Sequence, residues 1–545
     1  MRGKGRLFVC LLSLAAAWTI AHDQARSQSP AAPFQIRQTA YLKASNPNAN
    51  DHFGCGGSLP GHIGNSSAIS GDGNIIAIGA HLESSAAKGI NGNQNDTSLY
   101  SSGAVYVFAR QGAGWAQQAY VKASNPGQGD NFGLNVALNG AGTTMAVAAY
   151  WESGGAKGIN PPQDDDSLPQ AGAVYVFTRT GSNWSQQAYL KASNTGRPAN
   201  PNDPGDWGDG DQFGFSLALS ADGNTLAAGA ISEDSRASSI NNTQFDDDDS
   251  AASSGAVYVF ARTGGTWTQQ AYIKASNSDG GDLFGYGVGL SADGDTLAVV
   301  AHDEDGSGRS VNAIPDGRSG GTGAAYVFVR NDGVWTQQAY LKGSRSQRND
   351  AMGISVAISG DGDTVAVATA EESCLIPGVN PPACDIDTFP PHIGGGSAGA
   401  VYVWVRNGSN WTEQAFIKSS NPDIEDVFGY RLSLNGDGTT LVVTSPNEDS
   451  VAQGINGHQL DNSATEAGAV YLFARAGNSW TQRAYLKGSN TEAFDEFGSS
   501  TAISRDGRTI VLGARMEGSA AKGVNADQND NSAQGAGAVY VFSAN

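Results

Sequence analysis

"FGFSLALSADGNTLAAGA" at residues 213–230, followed by "GAVYVFARTGGTWTQQAYIK" at 255–274, holds the plan of the whole chain. Two apolar runs flank the turn S-A-D-G-N, and two more flank the turn R-T-G-G-T-W. Short runs of small and β-branched residues around Asp-Gly and Gly-Gly turns read as antiparallel hairpins. A long polar stretch separates the two hairpins. The unit therefore has four strands, A to D: an A–B hairpin, a polar B–C loop and a C–D hairpin.

That unit recurs along the chain. The strand C motif G-A-[VA]-Y-[VL]-[FW] begins at Gly103, Gly172, Gly255, Gly323, Gly399, Gly468 and Gly537. D-x-F-G precedes strand A at Asp51, Asp130, Asp211, Asp282, Asp426 and Asp495, and Asp350 opens a degenerate copy, "DAMG". Trp115, Trp184, Trp267, Trp335, Trp411 and Trp480 open strand D. A period of about 70 to 80 residues with four strands per unit reads as a propeller blade. Residues 36–43, "IRQTAYLK", form a strand D with no strand C before it, and the seventh strand C has no strand D after it. The expected fold is all-β: a seven-bladed propeller of four-stranded antiparallel blades over residues 36–545. Its N-terminal strand completes the last blade and removes the open sheet edge.

Composition agrees with many short strands and tight turns, with 73 Gly and only 16% charged residues. Arg2, Lys4 and Arg6 precede the apolar run "LFVCLLSLAAAWTIA", and Ala21 is a small residue suited to cleavage. Residues 1–21 thus read as a signal peptide and 22–35 as a short linker. Cleavage removes three positive charges and no negative one, moving the net charge from −21 to −24. Such a surface repels nucleic acid and anionic lipid and attracts divalent cations or basic partners. The expected product is an exported monomer with no membrane insertion after cleavage, in a periplasm, outside the cell or on its surface. Cys374 and Cys384 lie in one loop, "CLIPGVNPPAC", and are expected to pair as a disulfide. Cys55 is left over.

The F-G near strand A and the G-A after strand B, with G-A-V-Y-V-F beyond, resemble FG-GAP repeats, the units of the integrin α-subunit head. The resemblance spans roughly residues 36–542 and implies the propeller fold and an adhesive role. In that family several A–B turns carry a calcium loop of the D-x-D-x-D-G-x-x-D type. Here the turn is only "SADGN" or "SGDGN", so those calcium sites are not carried over. Asp72, Asp222, Asp293, Asp361, Asp437 and Asp506 read as turn formers.

The B–C loops and the D–A crossings share one face of a propeller. Aligned on strand B, each loop places Glu at one slot: Glu83, Glu152, Glu233, Glu304, Glu372, Glu448 and Glu517. Eight residues later stand Asn91, Asn160, Asn241, Asn312, Asn380, Asn456 and Asn525. Thirteen after the Glu come Asp96, Asp165, Asp246, Asp385, Asp461 and Asp530, with Gly317 in blade 4. Carboxylates with amide and backbone carbonyls form the hard oxygen set that Ca²⁺ prefers. The complete sets, in blades 1, 2, 3, 6 and 7, are the candidate Ca²⁺ ligands. The competing reading has the same side chains bracing the loop backbone. Tyr and Lys of strand D, such as Tyr120 and Lys122, read as blade packing and surface pairing. Arg110 and Arg262 read as stacking on Trp115 and Trp267.

Catalytic signatures are missing from the sequence: the seven histidines are scattered, without H-E-x-x-H, G-x-S-x-G or Cys/His metal spacing. The expected function is a non-enzymatic binding or adhesion propeller that meets a protein or glycan through its loop-rich face. The reading from another class is a secreted hydrolase or lyase with a carboxylate-based site on the same face. Two segments break the repeat on that face, "GCGGSLPGHI" at 54–63 and "RPANPNDPGDWGDGD" at 197–211.

Overall fold

Strand C of each repeat is an apolar run without alternation, because a blade packed between two neighbours is buried on both faces. In the computed structural model, which describes residues 34–57, 64–197, 209–242, 248–382 and 396–545, this is what each strand C does. Ala256–Thr263 keeps its first five residues buried, and only its last three, at the rim, meet solvent. Its sheet runs Ser216–Leu219, Thr225–Ala230, Ala256–Thr263 and Thr266–Ile273 in spatial order, every neighbour antiparallel. Seven such four-stranded sheets make the ring, and a separate two-stranded ribbon joins Gly196–Arg197 to Asp209–Gly210.

The ring closes through the N-terminal strand. Ile36–Leu42 lies antiparallel to Ala538–Ala544 as the outer strand of blade 7, with Tyr41 opposite Tyr540. Its register shift between Gln38 and Ala40 repeats the bulge that every other C–D hairpin carries, such as the one between Val107 and Phe108. The chain thus reproduces a complete hairpin register without a covalent turn.

The F-G and G-A signatures meet at blade junctions. Gly103, at φ 79°, packs against the crossing into the next blade, where a Cβ would sit 2.0 Å from the Phe132 carbonyl oxygen. Only glycine allows both this φ and this approach. The same contact pairs Gly537 with Phe53, so the seventh junction closes like the others. Phe132 is fully buried and meets Tyr175 and Phe177 edge-on at 5.4 and 6.2 Å. Blade 5 has Met352 in the Phe slot and Trp404 where the other blades have Phe. The larger indole offsets the smaller thioether in one cluster, so "DAMG" still makes a blade.

Candidate functional site

Every B–C glutamate turns inward, and the lysine after strand D follows it. Lys122 Nζ lies 2.9 Å from Glu83 Oε2, with both side chains buried. The pair recurs as Lys191–Glu152, Lys274–Glu233, Lys342–Glu304, Lys418–Glu372, Lys487–Glu448 and Lys43–Glu517, at 2.5 to 3.0 Å. The strand D lysines are therefore core cations, not the surface partners expected from sequence. Burial pulls Lys122 below its ordinary range, and Glu83 works in the opposite sense. Tyr120 Oη donates to Glu83 Oε1 at 2.9 Å, and the Ser85 N–H donates to Oε2 at 3.1 Å. Asn46, from the preceding D–A crossing, donates to the same carboxylate at 3.3 Å. Glu152, Glu233, Glu448 and Glu517 each take a Tyr, a Lys and a crossing Asn in the same way. A carboxylate bonded from four directions is a structural hub.

The rest of each expected calcium set braces the loop. Asn91 adopts φ 55°, and its Oδ1 accepts the Tyr120 N–H at 3.0 Å while its own N–H reaches Tyr120 O. Asn160, Asn241, Asn456 and Asn525 repeat this pairing with strand D. Asp96 accepts the N–H groups of Ala86 and Ser98, both at 3.0 Å. Asp165, Asp461 and Asp530 accept the N–H two residues on, in Asx turns. Asp246 and Asp385 lie outside the described residues. Glu is thus drawn to Lys, Tyr and Asn side chains and Asn and Asp to different backbone groups rather than to one point, and a cation at Glu83 would have to displace Lys122. The calcium assignment does not fit these side chains.

The D-x-F-G aspartates are equally structural. Asp51 Oδ2 accepts the Asn48 N–H at 2.9 Å, and Asp282, Asp426 and Asp495 do the same three residues back. Burial pushes these four carboxyls up to about 7 and Asp130 to about 6, with nearby B–C glutamates adding to the rise. On the opposite face Arg110 sits 4.5 Å over the Trp115 ring and Arg262 5.2 Å over Trp267. Asp72 closes its A–B turn by accepting the Asn74 N–H at 3.0 Å. Cys374 is buried and disulfide-bonded, and Cys384, its expected partner, lies outside the described residues.

What differs between blades gathers where strands A and B open onto the loop-rich face. Three slots meet there: the x of D-x-F-G, the residue after that G, and the residue after strand B. Blade 7 fills two of them with an ion pair, Glu496 to Arg515 at 2.6 Å. Blade 4 stacks Tyr286 on His302 at 4.5 Å. Blade 1 brings together His52, Cys55 and His81, all buried, with the imidazoles 5.9 Å apart. Burial, seconded by Arg515, pulls His52 down to about 4 and keeps its ring neutral. Reading each repeat separately missed this trio; comparing the same three slots across the repeats is the signal that finds it. Beside it a cleft of about 330 Å³ opens between blades 1 and 2, walled by Leu82, Tyr100, Asn131, Tyr150 and Trp151. On either side of the undescribed part of the insertion, Arg431 donates to Gly64 O at 2.9 Å and to Gly56 O. Residues 58–63 and 198–208 of the two irregular segments lie outside the described residues.

The FG-GAP repeat family matches residues 115–177 and 480–542, each match running from a strand D tryptophan to the strand C of the next blade. These two stretches are FG-GAP repeats. Curated proteins gave no match. Among solved structures, a Bacteroides uniformis protein assigned as a 6-phosphogluconolactonase overlaps at TM-score 0.43 and 10% identity, over 84% of this chain and 98% of that one. Hydrazine synthase of Kuenenia stuttgartiensis gives 0.43 and 11%, over 86% and 94%. The periplasmic gluconolactonase PpgL of Pseudomonas aeruginosa gives 0.40 and 11%, over 84% and 97%. Likenesses of this size carry no functional argument. No helix among the described residues is long and apolar enough to cross a membrane.

Proposed function

We propose that this FG-GAP propeller is an exported, non-enzymatic binding or adhesion protein that holds a protein or glycan partner on its loop-rich face. One observation carries the reading. Of the eight large hydrophobic side chains exposed among the described residues, Tyr100, Ile314, Leu375, Ile424, Val451, Leu460 and Phe494 stand on B–C loops or D–A crossings. Only Val334 stands at a C–D turn. Apolar residues presented on one face of a rigid ring suit association better than solubility. The repeated acids that would serve a carboxylate-based hydrolase are consumed by Lys, Tyr and backbone N–H groups, which speaks against that reading. The basic and apolar run at residues 2–21 supports export.

The experiment is a screen of the purified chain against a glycan array and a panel of extracellular proteins, repeated with Tyr100→Ser, Trp151→Ala and Val334→Ser. The two loop-face variants should weaken a captured partner at least about tenfold, as hot-spot aromatics do, and Val334→Ser should leave it unchanged. Turnover of an array glycan by the parent chain would refute the non-enzymatic reading. Equal loss in all three variants would refute the choice of face.

A further inference from the structure

Among the described residues, one group of three His, Cys, Asp or Glu side chains has its ligating atoms all within 4.8 Å of one another: His52, Cys55 and His81. We propose that these three form a transition-metal site of the zinc(II) class, with the open coordination position turned toward the blade 1–blade 2 cleft. The fold does not require them. Blade 2 fills the same slots with Asn131, Leu134 and Tyr150 and builds the same blade. The ligands come from two short elements that the A–B hairpin holds side by side. His52 and Cys55 flank Phe53 and Gly54 in the crossing into strand A, and His81 directly follows strand B, Ile75–Ala80.

Three further features point to a ligand. His52 is 8% exposed, and its Nδ1 is buried without a hydrogen-bond partner among the described residues. An imidazole nitrogen left in that state is costly, and a metal ion is one of the few partners that fits it. The Gly57 N–H donates to Cys55 Sγ at 3.1 Å, the arrangement that supports a ligating sulfur. His81 lines the cleft together with Trp151, Tyr150 and Tyr100, so a fourth ligand, from water or from a bound partner, has a route in. Two imidazoles and a thiolate suit zinc and its borderline neighbours and do not suit calcium or magnesium. Bonds of about 2.0 to 2.3 Å would draw the three ligand atoms closer together than the 4.8 Å within which they now lie. The acidic chain concentrates divalent cations around it.

Cobalt(II) is the probe, because a cobalt–thiolate bond gives a near-ultraviolet charge-transfer band that oxygen and imidazole ligands do not. The full chain, stripped of metal and with Cys55 shown reduced by thiol counting, is titrated with Co²⁺. One equivalent should produce the band, and Zn²⁺ should bleach it. Cys55→Ser should abolish it. His52→Asn, which installs the residue that blade 2 already carries, should keep the circular dichroism of the parent and weaken Co²⁺ by at least about tenfold. A parent chain that binds no cobalt, a band that survives Cys55→Ser, or a His52→Asn variant with parental affinity would each overturn the site.

Discussion

Replacing Lys122 by Met removes the cation from a hub whose other members stay in place. Glu83 keeps its bonds from Tyr120, Ser85 and Asn46, but its charge is then buried 1% exposed with no counter-ion at hand. The thioether is nearly the volume of the lost aliphatic stem, so the cavity term is small and the electrostatic one dominates. Breaking one side of a buried pair costs about 3–5 kcal/mol, whereas replacing both sides by neutral groups is close to neutral. Lys122→Met should therefore lose about 3–5 kcal/mol, and Lys122→Met with Glu83→Gln should recover most of it. The assay is equilibrium urea unfolding followed by both fluorescence and far-ultraviolet circular dichroism, so that coincident transitions justify a single free energy. A calcium chelator should leave every one of these transitions in place. A single variant within about 1 kcal/mol of the parent would put the pair at the value of an exposed salt bridge and refute the hub.

Three further outcomes follow from the junctions. Asp51, Asp282, Asp426 and Asp495 hold their protons to about pH 7 in the native state, against about 3.9 in an unfolded chain. The native state binds more protons between those values, so stability should fall as the pH rises from about 4 to about 7 and level off above. Asp282→Asn should flatten that slope; a parent chain more stable at pH 8 than at pH 5 would contradict the assignment. Trp184, Trp267, Trp335, Trp411 and Trp480 each donate the indole N–H to a Gln on the preceding blade's strand D, at 2.8 to 3.0 Å. Trp115 has no such partner among the described residues, and on the N-terminal strand Thr39 holds the sequence position that this Gln holds in the other repeats. Thr39→Gln should supply the acceptor and add about 1 kcal/mol in urea unfolding, and a loss of stability would show that the seam packs differently. Deleting residues up to Ala44 strips the outer strand from Ala538–Ala544 together with Lys43 and Tyr41, the partners of Glu517. The shortened chain should lose several kcal/mol or pair through its open edge, which light scattering and urea unfolding both read; parental stability with parental light scattering would refute closure by this strand.

Periodicity alone determined the architecture. Seven copies of G-A-[VA]-Y-[VL]-[FW] require seven equivalent environments, and an unpaired strand D at one end with an unpaired strand C at the other require closure. Arg110 over Trp115 and the Asp72 turn were legible too, because their partners lie a few residues away on one hairpin. Glu83 and Lys122 were legible as recurring residues but not as a pair. They stand 39 residues apart, and a polar loop ending in Glu looks the same whether its carboxylate meets a cation from solvent or from its own blade. Tertiary structure decided it, by turning the residue after strand D inward while the crossing Asn arrives from the preceding blade. His52, Cys55 and His81 show the same division more sharply. A repeated sequence declares what every blade needs, whereas residues that occur once become neighbours only when the A–B hairpin sets the two strand ends side by side.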